Sequence, residues 1–148
     1  MNAEIITLIA ALTAALTSVV TLVLNARLTI LREQRMLLWK KELDRIFELE
    51  QLAGVAKEIA IIHHDPDRLK KYYLPIYDEL DEAAGRFSRY PSLTQAIHGL
   101  NHSCATVIDA KTNNHDFKQE ELKIKEYYKK TLLECDKITG RQYNFYKN

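Results

Sequence analysis

The start of the chain is dominated by twenty residues without charge, proline or glycine, residues 5–24, IITLIAALTAALTSVVTLVL. A helix of this length covers roughly 30 Å, which is the thickness of the hydrocarbon core of a bilayer. An isolated segment can cross that core only as a helix, because lipid offers no partner for a free backbone amide. The run therefore predicts a transmembrane helix, and we assign residues 1–25 to the membrane segment.

A secretory signal peptide is the main alternative for this segment. Such a peptide needs a basic start, an apolar core of about 7–15 residues and a small-residue cleavage site. Here nothing basic precedes Arg27, the apolar run is twenty residues long, and the junction Asn25-Ala26-Arg27-Leu28 makes a poor cleavage site. We therefore expect the segment to be retained as an anchor.

The charges beside the run predict its orientation. Residues 1–4 contain no Lys or Arg. Five cations follow the run closely: Arg27, Arg32, Arg35, Lys40 and Lys41. Because an excess of positive charge stays on the cytoplasmic side, we expect the inner (cytoplasmic) membrane, with the N-terminus outside and the C-terminal domain in the cytoplasm.

The rest of the chain has apolar residues at helical spacing and little to interrupt it, with four Gly and three Pro in 148 residues. This pattern predicts an all-α fold in which the transmembrane helix continues into a cytoplasmic up-down four-helix bundle. The expected domains are a transmembrane helix (1–25), a helical stalk (26–38), the bundle (39–140) and a C-terminal tail (141–148). In such a bundle the fourth helix returns towards the membrane, so we expect the aromatic and basic tail to reach the lipid headgroups.

Polar residues and prolines mark the expected ends of the bundle helices, which we place at about 39–63, 66–88, 92–110 and 117–139. The signals are, in chain order, Asp65 with Pro66, Pro91, a polar loop at 111–115, Asp116 as N-cap with Gln119 in a capping box, and Gly140. Pro75 should kink or divide the second of these helices, because it lacks a backbone N–H.

Each predicted helix carries an apolar stripe that should form the core. The stripes are Trp39, Leu43, Ile46, Phe47, Ala53, Ile59 and Ala60; Leu69, Tyr73, Ile76, Leu80, Ala84 and Phe87; Leu93, Ile97, Leu100, Cys104, Val107 and Ile108; and Phe117, Ile124, Tyr128, Leu132, Cys135 and Ile138. In a reducing compartment the two cysteines are expected to be small buried hydrophobes.

The transmembrane run has small residues on one side and bulky aliphatic residues on the other. Small residues four apart let two helices approach closely in a bilayer, and a lone anchor has no need of them. The sequence therefore predicts a homo-oligomer. The expected oligomerisation or pore face consists of Thr7, Ala10, Ala11, Ala14, Thr17, Ser18 and Thr21.

The strongest candidate for chemistry is the pair His98 and His102, which four-residue spacing puts on one helix face with Asp109 nearby. No Glu follows His98 as in an HExxH zinc site, and the spacing alone leaves metal binding open. A HEPN-type ribonuclease pairs an Arg with a His a few residues further on, but Arg89 and His98 are nine apart. We expect no enzyme activity, no metal site and no cofactor.

Two functions fit these features. In the first, the oligomer perturbs or permeabilises the membrane as a pore-like effector under the control of the helical domain. In the second, the protein is a membrane-anchored scaffold or adaptor whose bundle docks a cytoplasmic protein partner. The layout resembles that of membrane-anchored helical accessory proteins of bacterial antiviral systems, which implies a role in defence or toxicity. The nearly balanced charge of the chain, +1 at neutral pH, indicates no specific nucleic acid partner.

Overall fold

The structure is a computed structural model, which describes residues 3–62 and 65–140. These residues form four helices, α1 (Ala3–Ile62), α2 (Pro66–Arg86), α3 (Pro91–Thr112) and α4 (Lys118–Thr139), and they contain no strand. The expectation of an all-α chain is confirmed. The chain divides into two compact units, unit 1 (Met1–Glu42) and unit 2 (Leu43–Asn148), and α1 contributes residues to both.

In unit 1, the described residues belong to α1 and expose their side chains throughout 7–41. Within the described part of the chain, α1 is the one helix long and apolar enough to cross a membrane, judged by length and composition. None of the residues in its apolar window is buried in the protein. This helix therefore has an apolar surface that no other described part of the chain covers.

The core of unit 2 draws on all four helices. The α1 residues in it are Ile46, Leu49, Ala53, Ala56 and Ala60. Two residues that we expected on this stripe are exposed: Phe47 by 45% and Trp39, which lies in unit 1, by 46%. The prediction was wrong for Phe47 because one residue turns the helix by about 100°, away from the face that Ile46 buries.

The stripes of the other helices agree closely with expectation. All six predicted residues of α3 are buried. Of the six predicted for the second bundle helix, five are buried, including Phe87 directly after the end of α2, while Ile76 packs half-buried against the core. On α4, Ile124 and Cys135 are buried and the others are half-buried. Both cysteines are buried thiols that are not joined in a disulfide.

The ends of the helices depend on a few local interactions. Asp65 caps α2, since its Oδ1 accepts a hydrogen bond from the Arg68 backbone N–H at 3.4 Å, and Pro66 is the first helical residue. The prediction of Asp116 as N-cap of α4 was wrong by one position, because Phe117 is the N-cap. The Asp116 carboxylate instead accepts the Lys118 backbone N–H at 3.2 Å, and no side chain caps this helix in a capping box.

Two further residues bear on the predicted helix breaks. Pro75 lies inside α2 without dividing it, on the exposed side of the helix. Gly140 follows α4 in the left-handed conformation, with φ at 69°, which glycine adopts without steric cost. The predicted tail, 141–148, lies outside the described residues, as do His63 and His64.

Close packing of α3 against α4 depends on Gly99. A Cβ atom placed on Gly99 would overlap the ring of Tyr127, including Cζ at 2.7 Å. Gly54 on α1 has a looser neighbour, the hydroxyl of Tyr128, at 3.8 Å from such an atom. Gly99 is therefore the position where the absence of a side chain decides how near two helices come.

Candidate membrane and assembly surface

The seven predicted residues of the transmembrane run all lie on α1 in unit 1 with exposed side chains. We call them the assembly face: Thr7, Ala10, Ala11, Ala14, Thr17, Ser18 and Thr21. An open groove on the helix surface is lined by five of them, together with Thr13, Leu22 and Asn25. Thr7 and Ala11 line a second depression nearer the N-terminus. The small side chains thus leave room along the helix for another chain to approach.

The hydroxyl groups of the assembly face are satisfied by the helix itself. Thr17 Oγ1 donates to the Thr13 carbonyl at 2.7 Å, and Ser18 Oγ donates to the Ala14 carbonyl at 2.9 Å. Thr7 and Thr21 make the same bond to the carbonyl four residues earlier, at 3.0 and 2.8 Å. Each donor is therefore used, and the outer surface of the face presents methyl groups and acceptor oxygens.

Beyond the apolar run, unit 1 becomes basic. Arg27, Arg32, Arg35, Lys40 and Lys41 all have exposed side chains, and Glu33 is the one acidic residue among 25–41. Among residues 3–62 and 65–140, the ion pairs within 4 Å involve none of these five cations. Trp39 stands beside the two lysines.

Unit 2 has an open groove between α1 and α2 that the sequence did not reveal. Its apolar lining is Leu49, Leu52, Val55, Ile76, Ala83 and Phe87, and its charged rim is Arg45, Glu48, Glu79, Glu82 and Arg86. On the rim, Arg86 Nη2 and Glu82 Oε1 form an ion pair at 3.0 Å. We call this feature the α1/α2 groove. Periodicity could not predict it, because its lining comes from two separate helices.

The candidate histidines are held at the surface of α3. His98 Nδ1 lies 3.6 Å from Asp81 Oδ1, with both side chains more than half exposed, and His102 is exposed. Throughout 3–62 and 65–140, no group of three or more His, Cys, Asp or Glu side chains is arranged to hold a metal ion. Asp81 explains the placement of His98, and a shared metal with His102 finds no third ligand in this part of the chain.

A buried polar cluster joins α2 to α3. Tyr73 Oη donates to Asn101, at 2.6 Å from Oδ1 and 2.9 Å from the carbonyl oxygen, and Asn101 Nδ2 donates to the Tyr77 carbonyl at 3.1 Å. Burial raises the pKa of the Tyr73 hydroxyl far above its ordinary value, and the neighbouring Cys104 raises it further. Burial also raises the pKa of the Cys104 thiol to about 12, despite a hydrogen bond with Tyr73 that acts in the opposite direction. Both groups stay protonated near neutral pH, so this cluster serves packing.

We expect Cys104 to resist alkylation in the folded protein. The thiolate is the reactive form, and with a pKa of about 12 it makes up on the order of one part in ten thousand at pH 8. Maleimide should therefore label neither buried cysteine at pH 8, and should label both once urea unfolds unit 2. Rapid labelling of Cys104 without denaturant would contradict the burial of this thiol.

Lys111 was missed by the sequence reading, which placed it in a loop. It lies in the last turn of α3 and is only 7% exposed. Its Nζ donates to the carbonyls of Ala60 at 2.7 Å and Ile61 at 2.9 Å, and it lies 3.8 Å from Glu121 Oε1. The cation thus caps the C-terminal end of α1, where carbonyls lack helical partners and the helix dipole is negative.

The described residues define an all-α chain with one long apolar helix in unit 1 and a four-helix core in unit 2. Comparison of the chain with protein-family models, with curated proteins and with solved structures finds no match.

Proposed function

We propose that the protein is a single-pass membrane protein that homo-oligomerises through the assembly face and permeabilises the membrane as a pore-like effector. The observation that carries this proposal is the exposed row of small side chains on α1, whose hydroxyl donors are already bonded to the helix. Small side chains allow close backbone approach, which is a main source of helix association in lipid. Unit 2 would control the assembly, and the role in defence or toxicity belongs to the same proposal.

The chemistry of the face favours a weakly polar lumen. No residue of 5–24 is charged, so no ring of charges would select ions. Hydroxyl oxygens of Thr7, Thr17 and Thr21 would offer acceptors to water, since their donors are already used. A pore built this way would be nonselective or would close by dewetting.

The location and topology form part of the proposal. We infer an inner-membrane protein with its N-terminus outside and unit 2 in the cytoplasm, because the basic residues follow the apolar run. The four helices of unit 2 are connected by short segments, which favours an up-down four-helix bundle. The side chains that unit 2 brings together among the described residues form a packed apolar core, and we propose a non-enzymatic role.

Replacing Ala14 with leucine should weaken assembly, because the larger side chain hinders close approach at the centre of the face. We expect roughly tenfold weaker association in detergent and a matching loss of dye release from liposomes. The control is Val19→Leu. The Val19 side chain is 61% exposed and lies on the opposite side of α1, so this change should leave association and dye release unchanged.

Oligomer number decides between a lumen and a simple dimer. Five or more subunits can surround a pore, whereas two or three cannot. An inserted wild-type assembly of five or more subunits that releases no dye would overturn the pore. Equal association of the Ala14 and Val19 variants would overturn the assembly face.

A second function, a membrane-anchored adaptor, is favoured by the α1/α2 groove. This groove has an apolar floor and a rim of mixed charge, which suits an amphipathic segment of a cytoplasmic protein. A wild-type dimer or trimer that inserts without leakage would favour the adaptor over the pore.

A further inference from the structure

The basic segment that follows the apolar run has a defined face. Arg27, Arg32 and Arg35 lie within about 140° of arc on α1, with Arg35 between the other two, since each residue turns a helix by about 100°. Glu33 falls on the opposite side of the helix by the same geometry. All three arginines are exposed, and no described carboxylate neutralises them. We call these three residues the arginine face.

The height of these residues above the apolar run matches the polar layer of a membrane. Measured along the helix from Leu24, Arg27 stands about 4.5 Å away, Arg32 about 12 Å and Arg35 about 16 Å. The headgroup layer extends roughly 5–7 Å beyond the hydrocarbon core. The field of charged headgroups then decays over about 8 Å at physiological ionic strength. Arg27 and Arg32 fall inside this combined distance, and Arg35 lies at its outer edge.

The direction of helical side chains brings the arginine heads closer still. In an α-helix the Cα–Cβ bond is tilted towards the N-terminus of the helix. Here the N-terminal end carries the apolar run, so the three guanidinium groups lean towards the bilayer. The long apolar stem of arginine can follow the helix while the charged head stays in the polar layer. Arg35 is therefore also brought within reach.

We propose that the arginine face binds the headgroups of anionic phospholipids in the leaflet from which α1 emerges. The charge complementarity is direct: three unneutralised guanidinium groups face a layer of phosphates, which arginine binds in a bidentate geometry. Lys40 and Lys41 stand about 24 Å or more from Leu24, beyond the field of the headgroups, and are not part of this site. The inference rests on the membrane insertion of the proposed function and is independent of pore formation.

Trp39 allows a direct measurement, because it is the one tryptophan of the chain and lies four residues beyond Arg35. The full chain is reconstituted into vesicles of phosphatidylcholine and phosphatidylglycerol at fixed composition. A dansyl label is placed in an acyl chain of either lipid, so that two samples differ only in which lipid carries the acceptor. The efficiency of energy transfer from Trp39 to dansyl is measured in each sample, and the ratio of the two efficiencies reports which lipid is enriched near α1. Both leaflets have the same composition, so either orientation of the protein gives the same reading.

We expect the acceptor on phosphatidylglycerol to be enriched about twofold or more around the wild-type helix, as attraction to anionic lipid implies. In the variant Arg27→Gln/Arg32→Gln/Arg35→Gln, the transfer efficiencies to the two labelled lipids should become equal, so that their ratio is one. The matched control removes the same charge from exposed positions of unit 2, Lys70→Gln/Lys71→Gln/Lys125→Gln, and should keep the wild-type ratio. Salt at about 1 M should lower the wild-type ratio, because the screening length falls to about 3 Å.

The outcomes separate this inference from the proposed function. Equal transfer from wild-type protein to both labelled lipids, with the protein floating with the vesicles after carbonate washing, overturns the arginine face. An unchanged ratio in the triple arginine variant overturns it as well. Failure of the wild-type protein to float overturns membrane insertion and the inference together. A preference for the anionic lipid without dye release supports the arginine face and overturns only the pore.

Discussion

Replacing Gly99 with alanine is expected to lower the free energy of unfolding of unit 2 by about 2 kcal/mol, as overpacking of a well-packed interface does. The added methyl group would overlap the ring of Tyr127, so α3 and α4 must separate or the ring must leave its place. Alanine is intrinsically better than glycine within a helix by about 1 kcal/mol, and the clash has to exceed this gain. Urea unfolding of the full chain in detergent, followed by circular dichroism and by exposure of the Cys104 thiol, measures the change.

Gly85 provides the matched control for Gly99. It lies in α2 with nothing within 4 Å of an added Cβ atom. Gly85→Ala should therefore raise the free energy of unfolding, by up to about 1 kcal/mol. If both glycine variants shift the unfolding midpoint in the same direction and by the same amount, the contact between Gly99 and Tyr127 does not set the helix spacing.

Replacing Lys111 with methionine is expected to destabilise unit 2 by about 2 kcal/mol, the usual range for losing hydrogen bonds to a charged group. Methionine keeps the unbranched apolar stem of the side chain, one atom shorter, and leaves the carbonyls of Ala60 and Ile61 without their donor. Glu121 also loses its cation. The effect should concentrate at the end of α1, where hydrogen exchange of the last helical turn gives a local measurement.

Lys125→Met is the control, since that lysine is exposed on α4 and should tolerate the change within about 0.5 kcal/mol. Faster exchange confined to the end of α1 in the Lys111 variant, with little change in the Lys125 variant, supports the cap. Equal small effects of both variants would show that the carbonyls find water instead.

The same contact predicts a dependence on pH. Burial lowers the pKa of Lys111 in the folded state, and the nearby Glu121 offsets this only in part. Between the lowered folded pKa and the unfolded value near 10.5, the unfolded chain binds more protons, so this lysine makes stability rise with pH. The difference in free energy of unfolding between wild type and Lys111→Met should therefore grow as pH rises from neutral towards 10.5. A constant difference over that range would contradict the burial of the cation.

The parts of the fold that were predictable from sequence are those with strong local signals. The α3 stripe from Leu93 to Ile108 has regular helical spacing, and every predicted residue is buried. Asp65 and Pro66 form a start signal that depends only on neighbouring residues, and α2 begins there. On α1 the apolar residues occur on several sides, so periodicity could not choose the buried side, and Phe47 was assigned wrongly.

The features that sequence reasoning missed depend on residues far apart in the chain. Lys111 belongs to a polar stretch that resembles a loop, and only the nearby end of α1 gives its charge a partner. For Gly99 a signal was present, because a glycine within a helix needs a packing reason, but Tyr127 could not be named as that reason. The assembly face was located on α1 from sequence, while its role as an interface concerns a second copy of the chain and remains a proposal.

The bonded hydroxyls of α1 have a consequence for the order of events in the membrane. A segment with unsatisfied donors would be driven to find a partner as soon as it entered lipid. Thr7, Thr17, Ser18 and Thr21 already give their protons to the helix, so a single copy of α1 in the proposed membrane-inserted state would need no polar partner from a second chain. Insertion and association would then be separate steps, and a dormant pool of monomers could be stored in the membrane until a signal changes their association.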